Sequence, residues 1–138
     1  MTRINVVPPE KLFNLHILAE YRELPRVFTL AAQAAAKGSN WKRRQPLIYT
    51  VGPGHVLFFY DRLRWLAERH KLLVAELLAR GYEPKFREDL YKKWRKQIPK
   101  EYWRDYAPDQ AALDANWKRI HLRMKNTRWW KDEVPFLI

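Results

Sequence analysis

Apolar or small side chains at Phe13, Ile17, Tyr21, Leu24, Phe28, Ala31 and Ala35 recur every three or four positions, the repeat of one helix face. The spacing predicts a helix from about Glu10 to Lys37, stopped by Gly38. Pro25 lies inside it and removes one helical hydrogen bond, so a bend is expected between Glu23 and Arg26. Phe59, Leu63, Leu66, Leu73 and Leu77 predict a second helix from near Phe59 to Arg80, with Gly81 past its end. A third is expected from about Pro108, a residue suited to a first helical turn, to Lys125. Its buried stripe is read as Leu113, Trp117, Ile120 and Met124, with Lys118, Arg119 and Arg123 off it. The run Ile48-Tyr49-Thr50-Val51, ending in Gly52-Pro53-Gly54, reads as an extended segment and a tight turn. One strand does not make a sheet, so the fold class is all-α. With 138 residues, 47% of them hydrophobic, the chain has room for one core but not two. The expected architecture is a compact single domain, 1–138, of three main helices joined by long, basic, aromatic-rich connections.

Charge narrows the partners. Lys+Arg of 27 against Asp+Glu of 15 gives +12, a balance that favours polyanions. Nucleic acid leads, and an anionic membrane surface is the competitor, although no apolar run is long enough to span a bilayer. No signal peptide is expected, and the absence of cysteine excludes disulfides and Cys-based metal sites or nucleophiles. A cytoplasmic location is expected, associated with nucleoid or viral DNA. Lys85, Arg87, Lys92, Lys93, Arg95, Lys96, Lys100 and Arg104 are interleaved with Phe86, Tyr91, Trp94, Tyr102 and Trp103. Such a surface neutralises phosphates and offers flat groups to unstacked bases; the alternative is that the aromatics are core and the cations a solvated face. Lys42-Arg43-Arg44 after Trp41 reads as a loop reaching the backbone. The histidines show no close ligand spacing, so no metal and no cofactor are expected. His16 either positions the glutamates or contacts DNA. His55 reads as a turn residue tying its loop to the second helix, and His70 as a satisfied core histidine.

The amino end carries the chemistry. A small residue at position 2 favours removal of Met1, which exposes the α-amine of Thr2. With a reference pKa of about 7.7–8.0, roughly a third of such an amine is unprotonated near pH 7.5, against about one part in a thousand for a lysine. Neighbouring cations lower it further. On a helix, His16, Glu20 and Glu23 fall on one stripe and Arg22 and Arg26 on an adjoining one. By itself this is a surface of ion pairs worth a few tenths of a kcal/mol each. Beside a free amine it is more. An amine that attacks C1′ of a nucleotide expels the base and leaves an iminium, which a carboxylate stabilises while moving protons. Glu23 is the candidate carboxylate, and the bordering arginines would grip phosphates.

The blocks Thr2-Arg3-Ile4-Asn5, His16 through Val27, and Gly54-His55-Val56 followed by Phe58-Phe59-Tyr60-Asp61 resemble the phage-type pyrimidine-dimer DNA glycosylases with abasic-site lyase activity, the endonuclease V of UV repair. The likeness weakens between Glu83 and Trp103 and returns thinly at Tyr106 and Trp129-Trp130-Lys131. The resemblance implies an all-helical enzyme that flips a nucleotide opposite the lesion and attacks through Thr2, assisted by Glu23. It places Arg3, Arg22 and Arg26 on the phosphates around the dimer. It also implies further DNA contacts from the third helix, for which Lys118, Arg119 and Arg123 are all candidates. The expected partner is double-stranded DNA containing pyrimidine dimers or abasic sites, met by a monomer. Two rivals stand beside this reading: a related glycosylase/lyase for another base lesion, and a non-catalytic basic protein that bends DNA with aromatic wedges.

Overall fold

A computed structural model describes residues 2–125. Its helices are α1 (Asn14–Glu23), α2 (Pro25–Lys37), α3 (Leu63–Ala79), α4 (Leu90–Trp94) and α5 (Gln110–Lys125). Single 3₁₀ turns lie at Pro9–Lys11, Trp41–Arg44, Leu57–Phe59 and Lys100–Tyr102. Among the described residues there is no strand, only one antiparallel bridge between Arg62 and Trp103, so the all-α class holds. The Ile48–Val51 segment is loop, and Trp129-Trp130-Lys131 lies outside the described residues.

The first expected helix is two. Pro25 occupies the first position of α2, where its missing N–H would have had no helical partner, so the proline begins a helix instead of bending one. Leu24 is the joint, its N–H donating to the Glu20 carbonyl at 2.8 Å. The start moves from Glu10 to Asn14 because the Pro8-Pro9 pair and the turn after it precede the helix. Gly38 ends α2 at φ 63°, with Ser39 N–H reaching back to the Ala34 carbonyl. In α3, Leu63, Leu66, Leu73 and Leu77 are buried as expected, while Phe59 belongs to the preceding turn.

Asp109, not Pro108, opens α5, its carboxylate accepting from Ala112 N–H at 2.9 Å. The buried stripe of α5 is Ala112, Asn116, Ile120 and Met124; Leu113 and Trp117 sit at its margin. The stripe is set by what α5 faces. It lies against the amino-terminal segment, where a polar Asn116 is needed and bulk is not. The long, basic, aromatic-rich connection between α3 and α5 contains α4, capped by Asp89 and anchored by buried Leu90. Trp94, Tyr102 and Trp103 pack against the core, whereas the interleaved cations are exposed. The aromatics of this segment are therefore mainly structural.

The core gathers Phe28, Phe58, Phe59, Leu63, Leu66, Leu73, Leu77 and Ile120, and Ile4, Val6 and Val7 belong to it. The amino-terminal segment thus runs through the interior without a strand partner. Its backbone polar groups must be satisfied by side chains or carry a penalty of about 1–3 kcal/mol each.

Candidate nucleic-acid cleft

That requirement builds the site. Asn116 Oδ1 accepts from Val6 N–H at 2.7 Å and from Val7 N–H at 3.0 Å. Arg69 Nη1 donates to the Val7 carbonyl at 2.7 Å. Tyr49 Oη donates to the Ile4 carbonyl at 2.9 Å, and His55 Nε2 accepts from Ile4 N–H at 2.7 Å. Since Nε2 accepts, His55 carries its proton on Nδ1, which donates to the Thr50 carbonyl at 2.6 Å. His55 therefore ties its loop to the amino-terminal segment and not to the second helix. Burial lowers its pKa to about 4, so it stays neutral and keeps its lone pair for Ile4.

Asn5 connects this scaffold to α1. Its amide donates to Glu20 Oε1 at 2.9 Å, and its Oδ1 accepts from Asn116 at 2.7 Å and from Arg119 at 3.0 Å. Glu20 is gripped from below by Arg69, Nε to Oε2 at 2.8 Å and Nη2 to Oε1 at 3.0 Å. The stripe His16, Glu20, Glu23 is thereby divided: Glu20 is committed to a buried ion pair, and Glu23 is left half-exposed.

A cleft of about 550 Å³ opens above this network, lined by Arg3, His16, Arg22, Glu23, Arg26, Arg119 and Arg123, with Asn5 and Glu20 at its floor. Five arginines thus surround one uncommitted carboxylate. His16 is buried and, among the described residues, has no hydrogen-bond partner on either ring nitrogen, and Arg119 Nη1 is likewise buried and without a partner among them. Burial, then the charges of Arg123, Arg119 and Arg3, lower His16 to about 4. The imidazole is therefore neutral, and it lines the cleft with both ring nitrogens buried. A groove of similar size between α3 and the α4 region is also basic, lined by Arg64, Lys71, Arg95 and Lys100, with Lys71 paired to Glu68 at 3.3 Å and Asp89 at 3.5 Å.

The structure brings together seven of the nine residues expected at the site. Thr2 is half-buried and immediately precedes Arg3 but is not in the cleft lining. Lys118 is exposed outside it, one residue and about 100° around the helix from Arg119. Arg119 and Arg123, four apart, are the α5 cations that reach the cleft. His70 is buried and stacked on Tyr21 at 5.8 Å, but its Nε2 has no partner, so it is only partly satisfied. Sequence reasoning missed Asn5, Tyr49, Arg69 and Asn116. Arg69 and Asn116 carried a signal: each is a polar residue at an apolar-repeat position, Arg69 between Leu66 and Leu73, Asn116 between Ala112 and Ile120.

A family model described as pyrimidine dimer DNA glycosylase matches residues 1–90. The chain belongs to the pyrimidine dimer DNA glycosylase family. The match spans the amino-terminal segment, α1, α2 and α3, hence Thr2, Arg3, His16, Arg22, Glu23 and Arg26 of this glycosylase; Arg119 and Arg123 lie beyond it. Its substrate is accordingly DNA, and the +12 charge fits that substrate. No described helix of the glycosylase is long and apolar enough to cross a membrane. Among its described residues no group of three or more His, Asp or Glu could hold a metal ion.

Proposed function

We propose that the arginine-lined cleft receives the damaged strand and that this glycosylase is also an abasic-site lyase working through the Thr2 amine. The carrying observation is one half-exposed carboxylate, Glu23, among Arg3, Arg22, Arg26, Arg119 and Arg123, next to a buried histidine with both ring nitrogens unpartnered among the described residues. Phosphates on either side of a cis-syn cyclobutane pyrimidine dimer would pair with the arginines. Met1 removal leaves Thr2 as the terminal amine. Its lone pair attacks C1′, the C1′–N1 bond breaks, and the pyrimidine leaves with the electron pair, to be protonated. The nitrogen then gives up a proton, the C1′–O4′ bond breaks as O4′ takes one, and the iminium so formed is stabilised by the Glu23 carboxylate. With the sugar ring open, loss of a C2′ proton to a base, Glu23 in this reading, expels the 3′-phosphate by β-elimination and nicks the strand. Water then hydrolyses the imine and returns the amine. A single domain acting as a monomer suffices for these steps.

The test is borohydride reduction during reaction with a duplex holding one cis-syn thymine dimer, followed by peptide mass mapping. A reduced adduct on the Thr2 amine is the expected result. Glu23→Gln should bind the damaged duplex within about threefold of wild type and cut it at least a hundredfold more slowly. An adduct on a lysine, or normal cutting by Glu23→Gln, overturns the mechanism. Adducts formed only with a plain abasic duplex would keep the lyase and move the glycosylase to another lesion.

A further inference from the structure

The loop from Pro46 to Gly54 is closed and apolar at its tip. Leu47 is 94% exposed and Ile48 73% exposed, with Val51 beside them at 36%. The ends of the loop meet: a Cβ on Gly54, at φ 86°, would fall 2.7 Å from Pro46 Cγ. Gln45 anchors the entry, its Nε2 donating to the carbonyls of Leu57 and Phe58 and to Asp61 Oδ1 at 2.8 Å. Tyr49 is buried one residue after Ile48, and its hydroxyl holds the Ile4 carbonyl, as His55 at the loop's exit holds the Ile4 N–H. The tip is therefore presented on a fixed base, within about 7 Å along the chain of a residue bonded to the amino-terminal segment. Lys42, Arg43 and Arg44 stand exposed just before it.

Burying that apolar surface would be favourable, and the neighbouring cations specify the charge of the partner. We infer that Leu47 and Ile48 form a wedge that enters the base stack of duplex DNA at the lesion while Lys42, Arg43 and Arg44 hold the adjoining phosphates. Apolar side chains of this kind partially unstack a base step and kink the duplex. Extracting a nucleotide costs a few kcal/mol of stacking and pairing, which an inserted leucine and isoleucine offset by replacing the lost contacts. The rigid base matters because a floppy loop would lose entropy on insertion. This inference rests on the cleft being the excision site. It adds the group that opens the helix beside it.

An abasic duplex separates the two readings, because the nucleotide opposite an abasic site has already lost its pairing partner and costs less to extract. Single-turnover excision of a thymine dimer and cutting of an abasic site are measured for Leu47→Ser/Ile48→Ser and for Leu47→Met/Ile48→Met, with 2-aminopurine opposite the lesion as a reporter of unstacking. The serine variant should lower the ratio of dimer excision to abasic cutting at least tenfold and abolish the fluorescence rise. The methionine variant, which keeps apolar bulk, should hold the ratio within about threefold of wild type. An unchanged ratio and an unchanged fluorescence rise in the serine variant overturn the wedge. So does an equal loss of both activities, which would assign the loop to general binding. Concentration-dependent dimerisation abolished by the serine changes, with the ratio intact, would assign it to contact between copies instead. If wild type cut neither substrate while 2-aminopurine still responded to Leu47→Ser/Ile48→Ser, the cleft reading would fail and the wedge would stand.

Discussion

Arg69→Met should be among the most damaging single changes outside the cleft lining. The Glu20 and Arg69 side chains are 0% and 3% exposed, and two of the three hydrogen bonds to the Glu20 carboxylate come from Arg69. Removing the arginine leaves a buried carboxylate held only by the Asn5 amide and strips the Val7 carbonyl of its donor. Breaking a buried pair from one side costs about 3–5 kcal/mol. At about 3–5 °C per kcal/mol for a domain of this size, the thermal midpoint falls by about 9–25 °C. Urea unfolding followed by tryptophan fluorescence and by far-ultraviolet circular dichroism measures the loss, provided the two transitions coincide. The partner variant Glu20→Gln/Arg69→Met carries no buried charge and keeps an acceptor for Asn5, so it should recover at least half of the loss. A single-variant cost below about 1 kcal/mol, or a double variant no more stable than Arg69→Met, would refute the claim that this pair fixes the amino-terminal segment.

His16 and His55 both titrate near 4 in the folded chain, whereas an unfolded histidine takes its proton near 6.5. The folded state therefore binds fewer protons between these values, and the stability each contributes is complete above about pH 6.5 and lost as pH falls towards 4. The slope is up to about 1.4 kcal/mol per pH unit for each histidine, and His55→Gln should remove about half of it; a stability flat from pH 7 to 4.5 contradicts the assignment. For binding, neutralising about five phosphates with Arg3, Arg22, Arg26, Arg119 and Arg123 gives a log Kd against log salt dependence of magnitude near 4.5. A dependence near zero in a fluorescence-anisotropy titration would remove the electrostatic role of the cleft.

The resemblance in the amino-terminal blocks and the family match agree because both rest on the same local residues, which include Thr2, His16, Arg22 and Glu23. Helix periodicity located α3 and most of α2, since each buries a repeating apolar face. It failed at Pro25, because a proline interior to a pattern and a proline at the first position of a new helix look alike in one dimension. It placed Ile120 and Met124 correctly but missed the first half of the α5 stripe by one residue for a different reason: hydrophobicity favoured Leu113 and Trp117, whereas the buried positions are Ala112 and a hydrogen-bonding Asn116.

By itself the sequence determined the helical class, the extents of the long helices to within a few residues, the basic surplus and the set from which the site is drawn. Those properties depend on neighbours three or four residues apart, or on composition. Only the tertiary structure decided that Glu20 is spent on Arg69 while Glu23 is not, that Arg119 and Arg123 reach the cleft and Lys118 does not, and that Asn116 and His55 hold the segment after Thr2. Each of these joins groups 49 to 110 positions apart or turns on which side of a helix faces the cleft. A buried backbone without a strand partner must recruit its hydrogen bonds from wherever the packed chain brings a side chain, and no local pattern records that choice.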